Sequence, residues 1–281
     1  MQFTQMPVPF VKMSGTGNDF ILIDHRKPRI AREVMPEFTR LVCRRRFSAG
    51  ADGLIFIEDS DKADFKWLFF NGDGSQAEMC GNGARCAARF AYMQGIAPAR
   101  MRFETLAGII EATVSDINVS VRMTDPRDIK LNQTVDVEGS ELEVHSVDTG
   151  VPHAVHFVTD YSQLDVCKLG SRIRHHRNYM PAGTNVNFVQ ELEDGALKVR
   201  TYERGVENET MACGTGAAAS ALISALRGKA DSPVDIVTSG GDRLTILFDV
   251  LEDRSVTNVF LKGPAHVVYT GELGAEALIE N

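Results

Sequence analysis

Nowhere in the sequence do apolar residues run unbroken for the ~18 positions of a membrane-spanning helix, which argues against a helical membrane protein. There is no CxxC pair. The five cysteines, Cys43, Cys80, Cys86, Cys167 and Cys213, are an odd number, which suits separate reduced thiols better than a disulfide framework. Positive charge is scarce: 30 Lys and Arg stand against 38 Asp and Glu, for a net charge of -8. No nucleic-acid partner is expected of such a surface, because phosphate binding needs clustered cations. The short basic runs, Arg44 to Arg46 and RIRHHR from Arg172 to Arg177, read as solvated faces of helix-like stretches. The N-terminus lacks the basic head, apolar run and small-residue cleavage site of a secretory signal, so a cytoplasmic location is expected. Long linkers and low-complexity segments are also missing.

What is present is enough apolar material for a large core: 43% of the 281 residues are hydrophobic and 24% charged. The length is nearly twice a usual ~150-residue domain, and the sequence repeats itself. MCGNGA (Met79 to Ala84) and ACGTGA (Ala212 to Ala217) place their cysteines 133 residues apart, close to half the chain. Each motif opens a proline-free, helix-like stretch that ends near a glycine. Thr105 and Gly108 follow Cys80 at offsets of 25 and 28, and Thr238 and Gly241 follow Cys213 at the same offsets, in segments that read as a turn entering a strand. The remaining chain carries short strand-like runs separated by Gly, Asp and Asn, with further helices expected over about 31–47 and 164–178. The expected fold is α+β: two pseudo-symmetric domains, each mostly strand with one long helix, packed directly with the active site in the cleft between them. The boundary is placed near Asp125-Pro126, where a strand runs into a turn dipeptide.

A cysteine at a helix start sits in the positive end of the helix dipole, which favours its thiolate. The adjoining glycines leave backbone N–H groups open to a carboxylate. Two such motifs facing each other would place a base and an acid on opposite sides of one carbon. Removing the proton beside a carboxylate builds charge on its oxygens, and preorganised donors at two helix starts would stabilise that charge with no cofactor. Cys43, Cys86 and Cys167 are expected to be small buried hydrophobes.

Other chemistries fit less well. GTGAAA from Gly214 resembles a dinucleotide-binding turn, with Asp235 following at a suitable interval, but ERGVENETMAC before it reads as a polar loop where a buried strand is required. No metal site is expected: His153 and His156 are three apart in a strand and point to opposite faces, and His175-His176 lies in a basic helix. No lysine stands out for a pyridoxal cofactor. A thiol-redox protein, in which Cys80 and Cys213 join, is the alternative from another functional class.

FVKMSGTGNDFILID, GADGLIFIE, NGDGSQAEMCGNGARC, GVPHAV, GTNVNFV and YERGVENETMACGTGAA resemble, in order and over nearly the whole chain, the signature segments of the diaminopimelate epimerase family. The resemblance implies a cofactor-independent isomerase that interconverts LL- and meso-diaminopimelate, a diamino-dicarboxylate, on the route to lysine and peptidoglycan. It also implies a homodimer, with each domain a sheet wrapped around a central helix. The C-terminal strand would return to the first domain, giving domains of 1–125 with 266–281, and 126–265. By position, Cys80 and Cys213 resemble the acid/base pair. Asn18, Asn71 and Asn185 resemble substrate-binding amides, and Gly81, Asn82, Gly214 and Thr215 resemble donors to the reacting carboxylate. Arg204 would hold the distal carboxylate, Glu203 an ammonium, and His153 would lie beside the thiols. Three positions depart from the family pattern: Gly53 replaces a glutamine, Val151 replaces an asparagine, and the segment from Gly205 to Cys213 is one residue longer. Proline racemase and hydroxyproline epimerase share the implied architecture and rank below, because their first cysteine sits in a different local sequence.

Overall fold

The computed structural model describes residues 6–280; Asn281 and the first five residues, part of the segment read for a secretory signal, lie outside them. Two compact units are formed, one by Met1–Val121 with Gly263–Asn281, the other by Arg122–Lys262.

The first unit contains β1 (Val8–Gly15), β2 (Asn18–Asp24), α1 (Met35–Val42), β3 (Gly53–Glu58), β4 (Phe65–Asn71), α2 (Gly81–Met93), β5 (Arg100–Thr105), β6 (Gly108–Ser115) and β7 (Asn118–Arg122). The second contains β8 (Arg127–Val137), β9 (Ser140–Asp148), β10 (Pro152–Phe157), α3 (Val166–Arg174), β11 (Asn185–Glu191), β12 (Leu197–Glu203), β13 (Asn208–Thr210), α4 (Gly214–Leu226), β14 (Val234–Val237), β15 (Arg243–Val250) and β16 (Val256–Pro264). The last strand, β17 (His266–Leu273), pairs antiparallel with β1 and completes the first sheet.

The strand order is β17-β1-β2-β3-β4-β5-β6-β7 in the first unit and β8-β9-β10-β11-β12-β14-β15-β16 in the second. Read from left to right, both sheets pair in the same sense: antiparallel, antiparallel, parallel, antiparallel, parallel, antiparallel, antiparallel. The parallel steps are the ones bridged by helices, since a parallel neighbour needs a crossover. The duplication inferred from two motifs is therefore a duplication of the whole sheet. It extends to the turns: Thr105 Oγ1 donates to Gly108 O at 2.9 Å, and Thr238 Oγ1 to Asp242 O at 3.2 Å.

At the centre of each sheet both faces are buried. In β3 every residue is buried, and the period of two divides them. Ile55 and Ile57 face α2, while Leu54 and Phe56 join Phe38 and Val42 of α1. In β11, Val189 packs with α4, while Val186 and Phe188 pack with Ile173 of α3. Ala84, Ala87, Ala88 and Ala91 keep α2 slim inside its sheet, and Ala217, Ala218, Ala219 and Ala221 do the same for α4. α4, apolar nearly all round, suits such an interior, whereas α2 carries the buried Arg85 among its alanines.

Several local expectations need correction. The helix expected over 31–47 is a 3-10 turn (Arg32–Val34) followed by α1, and Arg44, Arg45 and Arg46 lie in the turn beyond it. Arg46 has φ +73°, a backbone conformation no helix continues through. The helix expected over 164–178 stops at Arg174, so the pair His175-His176 lies past its end. The polar loop before Cys213 contains β13, which pairs antiparallel with β12. Cys43 and Cys86 are buried as expected, but Cys167 is exposed at the start of α3, where its Sγ donates to Asn208 Oδ1 at 2.9 Å. Among the described residues, no helix is long and apolar enough to cross a membrane.

Candidate active site

Cys80 and Cys213 are the N-cap residues of α2 and α4, two helices of thirteen residues each. Both cysteines have extended backbones, and neither side chain caps its own helix. The helical ladder starts with Ala84 N–H to Cys80 O at 2.8 Å and Ala217 N–H to Cys213 O at 2.9 Å. The amides before these, including Gly81, Asn82, Gly214 and Thr215, belong to the first turn, where no intrahelical acceptor exists. Each helix start therefore offers a thiol beside a small set of donors suited to an anion.

In the first unit, the thiol of Cys80 donates to Asn18 Oδ1 at 3.6 Å, and Asn82 Nδ2 donates to the same oxygen at 3.4 Å. Asn18 opens β2, so the strand start carries it to the helix start. Arg85, one turn into α2 and fully buried, donates to Asn82 Oδ1 at 3.1 Å and to Thr16 Oγ1 at 2.9 Å. Asn71 closes β4, and its Nδ2 donates to Ser75 Oγ at 3.0 Å within its own turn. Gly53 is required by packing, since a Cβ there would stand 2.7 Å from both Phe69 Cε2 and Phe70 O. Beside Asn18 lies a charged group that includes Arg45, expected from the sequence on a solvated face. Lys12, nearly buried, pairs with Asp19 at 2.8 Å, and Arg45 bridges Asp19 and Asp52 at 2.6 and 2.8 Å. Burial pushes the Asp19 carboxyl up, but hydrogen bonds from Arg45 and Lys12 outweigh it and hold the group at about 2.

In the second unit, Cys213 Sγ lies 3.5 Å from Thr215 Oγ1, and Thr149 Oγ1 donates to Thr215 O at 3.1 Å. A small cavity beside Cys213 is lined by Thr201, Thr210, Met211 and Ile236. The Thr210 hydroxyl donates to Glu203 Oε2 at 3.0 Å, and burial raises the Glu203 carboxyl above its ordinary value. Asn185 Oδ1 accepts the Arg204 backbone N–H at 2.8 Å, and Arg204 Nη1 donates to Ala182 O at 3.1 Å. Val151 sits in the turn before β10, where its carbonyl accepts the Thr149 N–H at 3.2 Å.

His153 is 1% exposed, and burial pushes its imidazole down to about 3, so it is neutral. Asn187 fixes the tautomer. Its Oδ1 accepts from Thr201 Oγ1 at 2.9 Å, so its Nδ2 faces Ala154 O at 3.1 Å and His153 Nδ1 at 3.0 Å. Nδ1 must then accept and Nε2 carries the proton. That Nε2 is buried with no hydrogen-bond partner among the described residues. Asn187 and Arg85 escaped the sequence reading, although an asparagine alternating with apolar residues in NVNFV and an arginine in an alanine-rich helix are both visible as polar residues in apolar patterns. Among the described residues, no group of three His, Cys, Asp or Glu side chains is placed to hold a metal ion.

Comparison with known proteins bears on both units. The diaminopimelate epimerase family model matches residues 10–129 and 145–268. A diaminopimelate epimerase of Aquifex aeolicus (strain VF5) is 48% identical over 96% of this chain and 99% of its own. Among solved structures, a PhzF-family phenazine biosynthesis protein of Bacillus anthracis is similar with a TM-score of 0.75, at 17% identity over 96% of this chain and 99% of that one. A probable proline racemase from Agrobacterium radiobacter K84 is similar with a TM-score of 0.69, at 15% identity over 95% and 93%. These two establish the fold. The full-length match to the family model and the 48% identical relative establish more: this chain is an isomerase belonging to the diaminopimelate epimerase family.

Proposed function

We propose that the protein epimerises LL- and meso-diaminopimelate without a cofactor, with Cys80 and Cys213 exchanging the roles of base and acid at one α-carbon. The observation that carries this reading is the repetition: the same residue type caps the same helix in two copies of one sheet topology. A mechanism that inverts a carbon needs a proton acceptor on one face and a donor on the other, and a doubled thiol supplies both. As one sulfur removes the α-proton, charge grows on the α-carboxylate. The amides of Gly81, Asn82, Gly214 and Thr215 are the donors for it, each such group contributing a few kcal/mol when preorganised. The second thiol then delivers its proton to the opposite face, and the two residues have traded states. Thiols suit the exchange because thiol and thiolate are both accessible near neutral pH.

The remaining groups are read as specificity elements. Arg204 pairs bidentately with the distal carboxylate, Glu203 takes an ammonium, and Asn18, Asn71 and Asn185 bond the polar ends. The neutral His153, whose Nε2–H is unsatisfied, acts as a hydrogen-bond donor and not as a cation. The reaction lies on the route to lysine and peptidoglycan precursors, in the cytoplasm, with a homodimer as the working form.

Incubating the reduced protein with LL-diaminopimelate in D2O tests this directly. Deuterium is expected at the α-carbon together with meso product, and Cys80→Ser and Cys213→Ser are each expected to lower turnover by at least ~100-fold in a folded protein. Near-normal turnover in either variant would refute the two-base assignment. Exchange of proline or hydroxyproline, with none of diaminopimelate, would move the substrate assignment to the racemases.

A further inference from the structure

Asn18 touches Cys80 with one end of its amide, and which end it presents matters. A carbonyl oxygen accepts from S–H and favours the thiol, whereas an N–H donates to S⁻ and favours the thiolate. The opposite end of the Asn18 amide meets Asp52, whose Oδ2 accepts from Asn18 Nδ2 at 2.7 Å and from the Asp19 N–H at 3.1 Å. The other oxygen, Oδ1, accepts from Arg45 Nη2 at 2.8 Å. All three partners are donors, and an ionised carboxylate only accepts, so the nitrogen end of Asn18 is the end that fits. From the other side Arg85, a guanidinium with no acceptor, holds Asn82 Oδ1 at 3.1 Å and turns the Asn82 nitrogen toward Asn18 Oδ1. Two side-chain amides are thus oriented in series between an anion and a cation.

Resting on the reading of Cys80 as an acid/base group, we propose that Asp52 is a positioning residue for the reaction. By anchoring the Asn18 nitrogen, it keeps the amide oxygen on the Cys80 sulfur and raises the pH at which that thiol ionises. Arg45 buttresses the anchor from the solvent side, and Asp19 ties it to β2 by reciprocal bonds, with Asp52 N–H donating to Asp19 Oδ1 at 3.0 Å.

Asp52→Asn keeps the shape but leaves one acceptor atom where the carboxylate has two. Arg45, the one charged donor of the three, takes the remaining amide oxygen, so the new N–H faces the Asn18 nitrogen and Asn18 becomes able to turn over. Alkylation of Cys80 by iodoacetamide, followed by peptide mass spectrometry from about pH 5 to about pH 10, reads this thiol without any substrate. The half-maximal rate at Cys80 is expected to move down by about one pH unit in Asp52→Asn, with the exposed Cys167 as an unmoved internal reference. An unchanged Cys80 profile in the folded variant overturns the proposal. If Asp52→Asn does not fold, as judged by near-UV circular dichroism, Arg45→Gln carries the test: a smaller downward move is expected, and no move overturns it. Because the readout needs no substrate, it is independent of the functional assignment. Absence of α-proton exchange by the unaltered enzyme would count against the assignment of the reaction and leave the anchoring of Asn18 standing.

Discussion

Gly216, in the first turn of α4, lies so close to Asn187 of β11 that a Cβ would stand 2.3 Å from Asn187 Oδ1 and 3.2 Å from Thr201 Oγ1. Asn187 is completely buried and spends its amide on Thr201, Ala154 and His153, so it has no free direction in which to yield. Replacing Gly216 by Ala gains ~1 kcal/mol of helix propensity. It loses more, because overpacking and a broken buried hydrogen bond each cost about 1 to 3 kcal/mol. Gly216→Ala is expected to lower stability by about 2 kcal/mol in urea unfolding, and an equal or higher midpoint would show that the strand moves aside.

Glu203→Gln separates charge from shape. A glutamine can still accept from Thr210, so the melting temperature should stay put. If the carboxylate meets an ammonium of the substrate, its loss should raise KM by at least ~10-fold, since truncating one partner of a buried charge pair costs about 2 to 5 kcal/mol. Steady-state kinetics decide it, and an unaltered KM would remove Glu203 from the site.

Lys12→Met takes away a nearly buried ammonium and leaves Asp19 with Arg45 and the Asp52 N–H. Breaking a wholly buried pair costs more, but Asp19 is partly solvated, so a loss of about 2 kcal/mol at neutral pH is expected. The folded-state value of Asp19 is depressed, so its stabilisation is complete above the unfolded carboxylate range and fades as pH falls toward about 2. The gap between the two proteins in denaturant unfolding should accordingly narrow from pH 4 to about 2. A gap that stays constant would mean that the lysine acts by packing alone.

Two imidazoles should remain neutral where histidine ordinarily titrates. Burial pushes His145 down to about 4 and His153 down to about 3. Above the usual histidine value both are neutral in folded and unfolded chains. As pH drops below it, the unfolded chain takes up protons that the folded one refuses, and stability is lost progressively until the folded-state values are reached. In NMR spectra the His145 and His153 ring signals should not titrate between pH 8 and about 5, and a midpoint near 6.5 for either would contradict its burial.

The duplication, the two helix starts and the thiols at their caps were legible in the amino-acid order, because each follows from local rules: glycine at a close approach, a capping position, a fixed offset to the next turn. Cys167 was misjudged and Arg45 underrated for the opposite reason. Whether a thiol is buried, or an arginine finds two carboxylates seven and twenty-six residues away, depends on which strands become neighbours. Nothing in the local sequence around Asp52 or Asn187 announces that one would clamp the Asn18 amide and the other the His153 ring. Short-range periodicity sets what each segment can be. Hydrogen-bond direction, tautomer and ionisation depend on atoms far apart in the chain, and only the folded sheets, with helices threaded through their centres, bring those atoms within 3 Å.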